Sequence, residues 1–500
     1  MMTVLKSYSL PFMLTVLLCS GACKAEQTYV PTSESLARHD AAPEWLQDAK
    51  LGIYFHWGVY SVPAFGNEWY PHHMYKTGES VNRHHTETWG DPTEFEYPDF
   101  IPMFRAEYFD ADAWALLFKK AGARFAGPVA EHHDGFAMWN STATPWNCVN
   151  MGPERDITGE LAEALCKQDM RLITTFHHAR NNLWKTDKGE WTGHYMYLQK
   201  NYPSLLEDDK RAILYGAMPR DEFVSMWKGK LIEVIDQYHP DIIWFDSWLD
   251  EIPQKDRFEF AAYYLNQAQK RNQDVVIVRK QEDLPLNFSI LDHEKSRMSG
   301  ASEHVWMTDD TISTGSWCYT NNLRIKPAED IIHATIDTVS KNGIVLLNIS
   351  PKADGSIPKD QRHVLLELGH WLNRYGEAIY STRPWKTYGE GPTKEPEGGF
   401  SDQRKFLDLK YTFRDIRYTR SKDGNIVYAI QMGLSEDPVT LQAVELDEQS
   451  GVSLVGTDLP VSYKINDDGS LTIYPPKPDQ KEYFSSYANV YKITRMKRTK

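Results

Sequence analysis

Between residues 50 and 350, short β-rich apolar runs alternate with segments of helical period, and this alternation narrows the fold more than any other feature of the chain. Candidate strands are Leu51–Phe55, Arg124–Glu131, Arg171–Phe176, Asp241–Asp246, Asp274–Val278 and Gly343–Ile349. Candidate helices are Ala111–Ala121, Gly159–Lys167, Phe223–Tyr238, Arg257–Arg271, Ala328–Lys341 and Gln361–Tyr375. Strands joined through helices pair in parallel, with right-handed crossovers. Sustained over about 300 residues, the pattern predicts a (β/α) TIM-like barrel over 40–385 rather than an open sheet. A Gly-x-Gly-x-x-Gly turn, the mark of a dinucleotide fold, is absent from the sequence.

Five hundred residues exceed one compact core, so a second domain is expected. The character of the chain changes after Trp385. Gly389-Glu390-Gly391-Pro392 and Pro396-Glu397-Gly398-Gly399 read as loop; the runs Asn425–Gln431, Leu459–Ile465 and Leu471–Tyr474 then alternate with Asp-Gly turns at 423–424 and 468–469. Residues 386–496 are expected to form a small antiparallel β-sandwich.

Lys6, the apolar stretch Leu10 to Leu18 and the small residues Ser20, Gly21 and Ala22 follow the order of an export signal over 1–25. Ser20-Gly21-Ala22-Cys23 also resembles a bacterial lipoprotein box, so a lipid on Cys23 is the one expected membrane link. A periplasmic, outer-membrane or secreted location is expected. Cys19 and Cys23 lie in this leader, and Cys148, Cys166 and Cys318 lack C-x-x-C spacing, which argues against a zinc ribbon or disulfide scaffold. The formal net charge of −14 argues against a nucleic-acid partner.

Barrel chemistry sits at the carboxyl ends of the strands. Asp246 ends the apolar run Ile242-Ile243-Trp244-Phe245, where a carboxylate can stay ionised and attack or stabilise a cation; helix capping is the plainer role for such a residue. Glu131-His132-His133-Asp134 ends another strand. Adjacent histidines on extended backbone point to opposite faces, so a bend or bulge is needed for both to enter one pocket. His132, His133 and Asp134 are competent metal ligands, but hydrogen bonding to a polyol suits them better, because a dedicated site needs three or four convergent ligands. His56, Glu68 and Trp69 follow the first strand, His177 the third, and Arg279 the fifth. If the polyol is a glycoside, a second carboxyl must protonate the leaving oxygen. Asp292, Glu294, Glu303, Asp309 and Asp310 are the downstream candidates.

Several blocks resemble the α-L-fucosidases of glycoside hydrolase family 29. Trp45 to Ala64 with Asn67-Glu68-Trp69-Tyr70 is similar to that family's opening block, and Glu131 to Trp139 to its His-His-Asp-Gly-Phe block. Pro240 to Asp246 resembles the strand carrying its nucleophile, and Asn342 to Gly355 and Tyr375 to Tyr380 resemble its late blocks. The resemblance implies a retaining exo-glycosidase that removes terminal α-L-fucose from extracellular oligosaccharides or polysaccharides. It implies no metal or other cofactor, and a covalent intermediate on Asp246. It assigns sugar binding to His56, Glu68, Trp69, His132, His133, His177 and Arg279, and Trp244 and Trp306 join the binding set from the same blocks. Many members carry Trp-Glu where this chain has Trp306-Met307, so the acid/base must lie elsewhere. Glu294, in Asp292-His293-Glu294, is the first choice and Glu303 the second. Met307 also motivates an alternative, a fucose-binding protein impaired in catalysis. Sulfated fucan fragments and a galactose-configured sugar are alternative substrates.

Overall fold

The computed structural model describes residues 28–494 except 187, 397, 399–401, 436, 445 and 447–449. The expected export signal over 1–25 lies outside these residues.

Eight parallel strands form one sheet: β1 (Leu51–Phe55), β2 (Phe125–Glu131), β3 (Arg171–Phe176), β4 (Ile242–Phe245), β5 (Val276–Arg279), β6 (Ile290–Leu291), β7 (Trp306–Thr311) and β8 (Gly343–Ile349). Their order is β6-β5-β4-β3-β2-β1-β8-β7. A parallel bridge between Asp292 and Met307 brings the two edge strands together and closes the barrel. Crossovers run through α1 (Ala111–Lys120), α2 (Ile157–Lys167), α3 (Arg220–Tyr238), α4 (Gln254–Lys270) and α5 (Ala328–Ser340), and α6 (Lys359–Tyr375) follows β8. Asp110 and Asp156 start α1 and α2 by accepting hydrogen bonds from Ala113 N (2.9 Å) and Gly159 N (3.0 Å), donors that lack a partner within the helix.

The apolar positions alternate as a closed barrel demands. Ile242, Trp244, Val276, Val278, Met307, Ile344 and Leu346 fill the interior, while Ile243, Phe245 and Ile277 pack outward against the helices. Gly127 of β2 is required by close approach: an added Cβ would lie 1.7 Å from the carbonyl oxygen of Ile173.

Sequence patterning misses β6 and β7. β6 is two residues long and has no helix on either side, and β7 reads Trp-Met-Thr-Asp-Asp-Thr because Asp309 points into the barrel rather than into an apolar core.

Beyond the barrel, β9 (Thr382–Glu390), β10 (Ile416–Ser421), β11 (Ile426–Gln431), β12 (Val439–Leu441), β13 (Gly451–Leu454), β14 (Tyr463–Ile465), β15 (Leu471–Ile473) and β16 (Asn489–Thr494) form two antiparallel sheets. These are the five-stranded β9-β10-β11-β16-β13 and the three-stranded β12-β15-β14, which share a core that includes Tyr418, Leu441, Leu471 and Ile493. The Asp-Gly turns lie where expected, with Gly424 and Gly469 at φ of 73° and 83°. Two readings change. β9 straddles residue 386 and contains Gly389-Glu390, which were expected in a loop, because Gly389 and Glu390 pair with Arg417 and Ile416. The run Leu459–Ile465 yields a strand at Tyr463–Ile465 alone.

The two parts meet over a buried charge cluster. Asp337 of α5 accepts from Arg417 Nε of β10 at 2.7 Å and from Lys341 Nζ at 2.9 Å, with Arg297 Nε at 3.3 Å. Among the described residues, no helix is long and apolar enough to cross a membrane, and Cys148, Cys166 and Cys318 are free.

Candidate active site

A cavity of about 400 Å³ opens at the carboxyl ends of the barrel strands. His56, His132 and His177 line it from the ends of β1, β2 and β3, and Asp246 stands at the end of β4. Glu68 and Trp69 arrive on the loop after β1, and Glu294 on the segment after β6. All seven were expected in the site from the sequence.

His132 enters this space and His133 stands behind it because β2 is irregular. Its register against β3 shifts between Val129 and Glu131. That shift sends Glu131 outward to Lys230 of α3, at 2.7 Å, and turns His132 inward. The chain bends just afterwards, so His133 comes back behind the cavity with its Nε2 3.4 Å from Asp246 Oδ2. His177 Nδ1 stands 3.2 Å from the same oxygen.

Three expected binding or acid residues are elsewhere. Arg279 takes the outward parity of β5 and donates to the Gln281 carbonyl. Lys280, the next residue, continues the inward series Val276, Val278 and enters the cavity. Trp306 is likewise outward: its Nε1 donates to the Lys341 carbonyl at 2.9 Å, and its ring packs on Gly343. Glu303 is exposed on the loop before β7, outside the cavity. Trp244 is inward but lies beneath the floor, where its Nε1 donates to Asp292 Oδ2.

Lys280, Trp248, Trp317 and Gln281 line the cavity without having been singled out in the sequence. Lys280 follows the inward parity of β5, which the sequence leaves open because both faces of that strand are apolar. The other three come from loops whose course sequence periodicity does not describe. Trp248 holds a left-handed backbone, φ 71°, with the Arg180 guanidinium 3.5 Å from its ring centre.

Four carboxyl groups share the space with one ammonium. Lys280 Nζ lies 3.2 Å from Asp246 Oδ1, 2.8 Å from Glu294 Oε2 and 3.2 Å from Asp309 Oδ2. Burial alone would raise the Asp246 pKa, but the Lys280 charge, with His177 and His133 beside the other oxygen, holds it well below the usual carboxylate range. Burial and the neighbouring Asp292 carboxylate push Asp309 well above that range. Asp309 also accepts from the Tyr54 hydroxyl at 2.8 Å. Burial raises Glu68, which accepts from Trp317 N at 3.1 Å and Ser316 Oγ at 3.2 Å. Burial also lowers His56 and His132 well below their usual value and His133 to about 4, so these three rings are neutral near pH 7 and keep lone pairs for hydroxyl groups.

Two trios bring potential metal-ligand atoms within 4.8 Å of one another, His56 with His132 and His177, and His133 with His177 and Asp246. The sequence trio that included Asp134 does not converge, because Asp134 turns away to accept from Tyr97 Oη (2.8 Å) and Phe136 N (3.2 Å). An ionised carboxylate, a second carboxyl on the same ammonium, neutral imidazoles and broad indoles suit binding of a polyhydroxylated ring and displacement at its acetal carbon.

Comparison with known proteins agrees with this chemistry. The family model described as Alpha-L-fucosidase matches residues 16–377. Tissue alpha-L-fucosidase of Rattus norvegicus is 30% identical over 446 residues, covering 87% of this chain and 86% of that one. The crystal structure of Thermotoga maritima alpha-fucosidase in complex with a mechanism based inhibitor superposes with a TM-score of 0.73 at 27% identity, covering 93% of this chain and 100% of that one. The same enzyme in complex with fucose gives 0.70 at 28% identity, covering 93% and 99%.

Proposed function

The chain belongs to the alpha-L-fucosidase family and is a glycoside hydrolase, and from that premise we propose that it removes terminal α-L-fucose from glycans with retention of anomeric configuration, through a covalent intermediate on Asp246. One observation carries the stereochemical part. Asp246 Oδ1 and Glu294 Oε2 both contact Lys280 Nζ, at 3.2 and 2.8 Å, so the two oxygens are at most ~6 Å apart. Retaining enzymes hold their carboxyl groups about 5–5.5 Å apart, whereas inverting enzymes need about 6.5–9.5 Å to admit a water.

In the first half-reaction Asp246 attacks C1, the bond from C1 to the leaving oxygen breaks, and Glu294 gives that oxygen its proton. In the second, Glu294 takes a proton from water, the water oxygen bonds to C1, and Asp246 departs as the carboxylate. Glu294 is favoured over Asp309 as the acid. Its side chain is 16% exposed toward the mouth, where the leaving group must sit, whereas Asp309 is 1% exposed and engaged with Tyr54. With Glu294 in the cavity, a titrating residue at Met307 is not required, and the impaired-catalyst alternative loses its motive. His56, His132 and Glu68 would hold the sugar hydroxyls, with Trp69, Trp248 and Trp317 against its apolar face. The Thermotoga relative's complexes with fucose and with a mechanism based inhibitor support the same substrate and a covalent course. The residue pattern over 1–25 supports action outside the cytoplasm, on fucosylated oligosaccharide or polysaccharide.

The test is hydrolysis of an aryl α-L-fucoside by wild type and Asp246→Ala, followed by trapping with a 2-fluoro fucosyl fluoride and peptide mass mapping. Loss of turnover and a label on Asp246 are expected. Equal rates, or a label on another residue, would end the proposal.

A further inference from the structure

Lys280 brings together acids from three neighbouring strands: Asp246 after β4, Glu294 after β6 and Asp309 within β7. Its side chain is 5% exposed and its Nζ sits 4.8 Å from the ring centre of Trp244. Lysines outside the site pair with two acids, as Lys228 does with Asp256 and Glu259, whereas Lys280 meets three. It is placed between the two groups whose charges change during the proposed reaction.

In a double displacement the negative charge moves. It rests on Asp246 before attack, and once the bond from Asp246 to C1 has formed and the proton has left Glu294, it rests on Glu294. Water then reverses the transfer. A cation beside one of the two acids would favour one state and oppose the other, whereas a cation within 3.2 Å of both compensates each in turn without moving. Asp309 fits the same scheme. Burial and the Asp292 carboxylate raise its pKa and so disfavour its charged form, while its oxygen, 3.2 Å from Lys280 Nζ, serves the ammonium as an acceptor.

We propose that Lys280 is a positioning residue that acts as the fixed counter-charge of both half-reactions, compensating Asp246 in the resting enzyme and Glu294 in the covalent intermediate. This rests on the assignment of those two acids above, and it is tested once the Asp246→Ala comparison has given its result, so that failure of the one is distinguishable from failure of the other.

The groups that face Asp246 and Lys280 from neighbouring elements are His56, His132, His133, His177, Asp292, Glu294 and Asp309, with Arg180 further out. All remain in a Lys280 variant, so a shift in the pH profile reports the lysine itself. Full-length wild type, Lys280→Met and Lys280→Arg are assayed on aryl α-L-fucosides of good and poor leaving groups across pH, and fucose binding is measured by calorimetry. For Lys280→Met, kcat/KM should fall about 100-fold or more for both classes of leaving group. The acid limb of kcat/KM should move to higher pH, because Asp246 has lost the cation that keeps it ionised. Azide should not restore the rate. Fucose, which is uncharged, should still bind. Lys280→Arg should keep the acid limb in place. An unmoved acid limb or a wild-type kcat/KM in Lys280→Met overturns the proposal. If that variant does not fold, Lys280→Arg decides alone, a limb in place supporting the proposal and a displaced limb overturning it.

Discussion

His56 Nδ1 lies 2.8 Å from Oδ1 of Asn348, and the same oxygen accepts from the His56 backbone N–H at 2.9 Å. A backbone N–H can meet only an acceptor, so the Asn348 amide is oriented with its oxygen toward His56 and its NH₂ toward the Trp317 carbonyl, at 2.7 Å. The proton of the neutral ring must then be on Nδ1, which leaves Nε2 as a lone-pair acceptor for a sugar hydroxyl. Asn348→Ala should raise KM for an aryl α-L-fucoside about tenfold, in keeping with ~1–3 kcal/mol for one lost buried partner, while kcat changes less. Steady-state kinetics checks this; a change confined to kcat would contradict it.

Glu294→Ala should lose about 100-fold or more in kcat/KM on alkyl and other poor leaving groups, retain most activity on activated phenols, and recover with azide. Glu303→Ala should match the wild type on every substrate, because its carboxyl is outside the cavity. If Asp309→Asn showed the leaving-group dependence instead, the acid assignment would pass to Asp309.

Burial raises Asp134 to about 7, well above its value in an unfolded chain. A carboxyl with a raised folded-state pKa favours the fold while protonated, so its contribution declines as pH climbs from about 4 to about 7 and then levels off. Asp134→Asn removes that decline. Melting temperatures measured from pH 4 to 8 should show the variant gaining on the wild type up to about pH 7, with a constant difference beyond.

At the junction of the barrel and the sandwich, burial opposes ionisation of Asp337, but Lys341, Arg417 and Arg297 hold it well below the usual range. A depressed carboxyl contributes stability above its unfolded pKa and loses it as pH falls. Asp337→Ala takes the carboxylate from Arg297 and leaves Lys341 and Arg417 to share Glu395, and should cost about 3–5 kcal/mol at pH 7. Thermal melts should show a smaller gap between variant and wild type at pH 3.

Six of the eight barrel strands are legible in the sequence, because each alternates inward and outward apolar positions and is followed by a loop or helix of matching period. β7 is not legible, because its inward residues are Met307 and Asp309 and a strand that lends a carboxyl to the site has no apolar signature. The same cause explains Arg279. Chain order marked the end of β5 as functional, but which of two adjacent cations turns inward depends on the strand's parity relative to its neighbours.

The linear order of residues was sufficient to specify a barrel followed by an antiparallel unit, to place Asp246 at a strand end and to gather the histidines at one rim, since hydrophobic period and strand polarity are local properties of the chain. Tertiary structure alone decided that Lys280 meets Asp246, Glu294 and Asp309, that the β2 irregularity turns His132 inward, and that Glu303 stays outside. Such pairings depend on barrel closure, through which Asp292 and Met307 bring the sheet's edge strands together, and on loop courses that no residue-to-residue periodicity encodes.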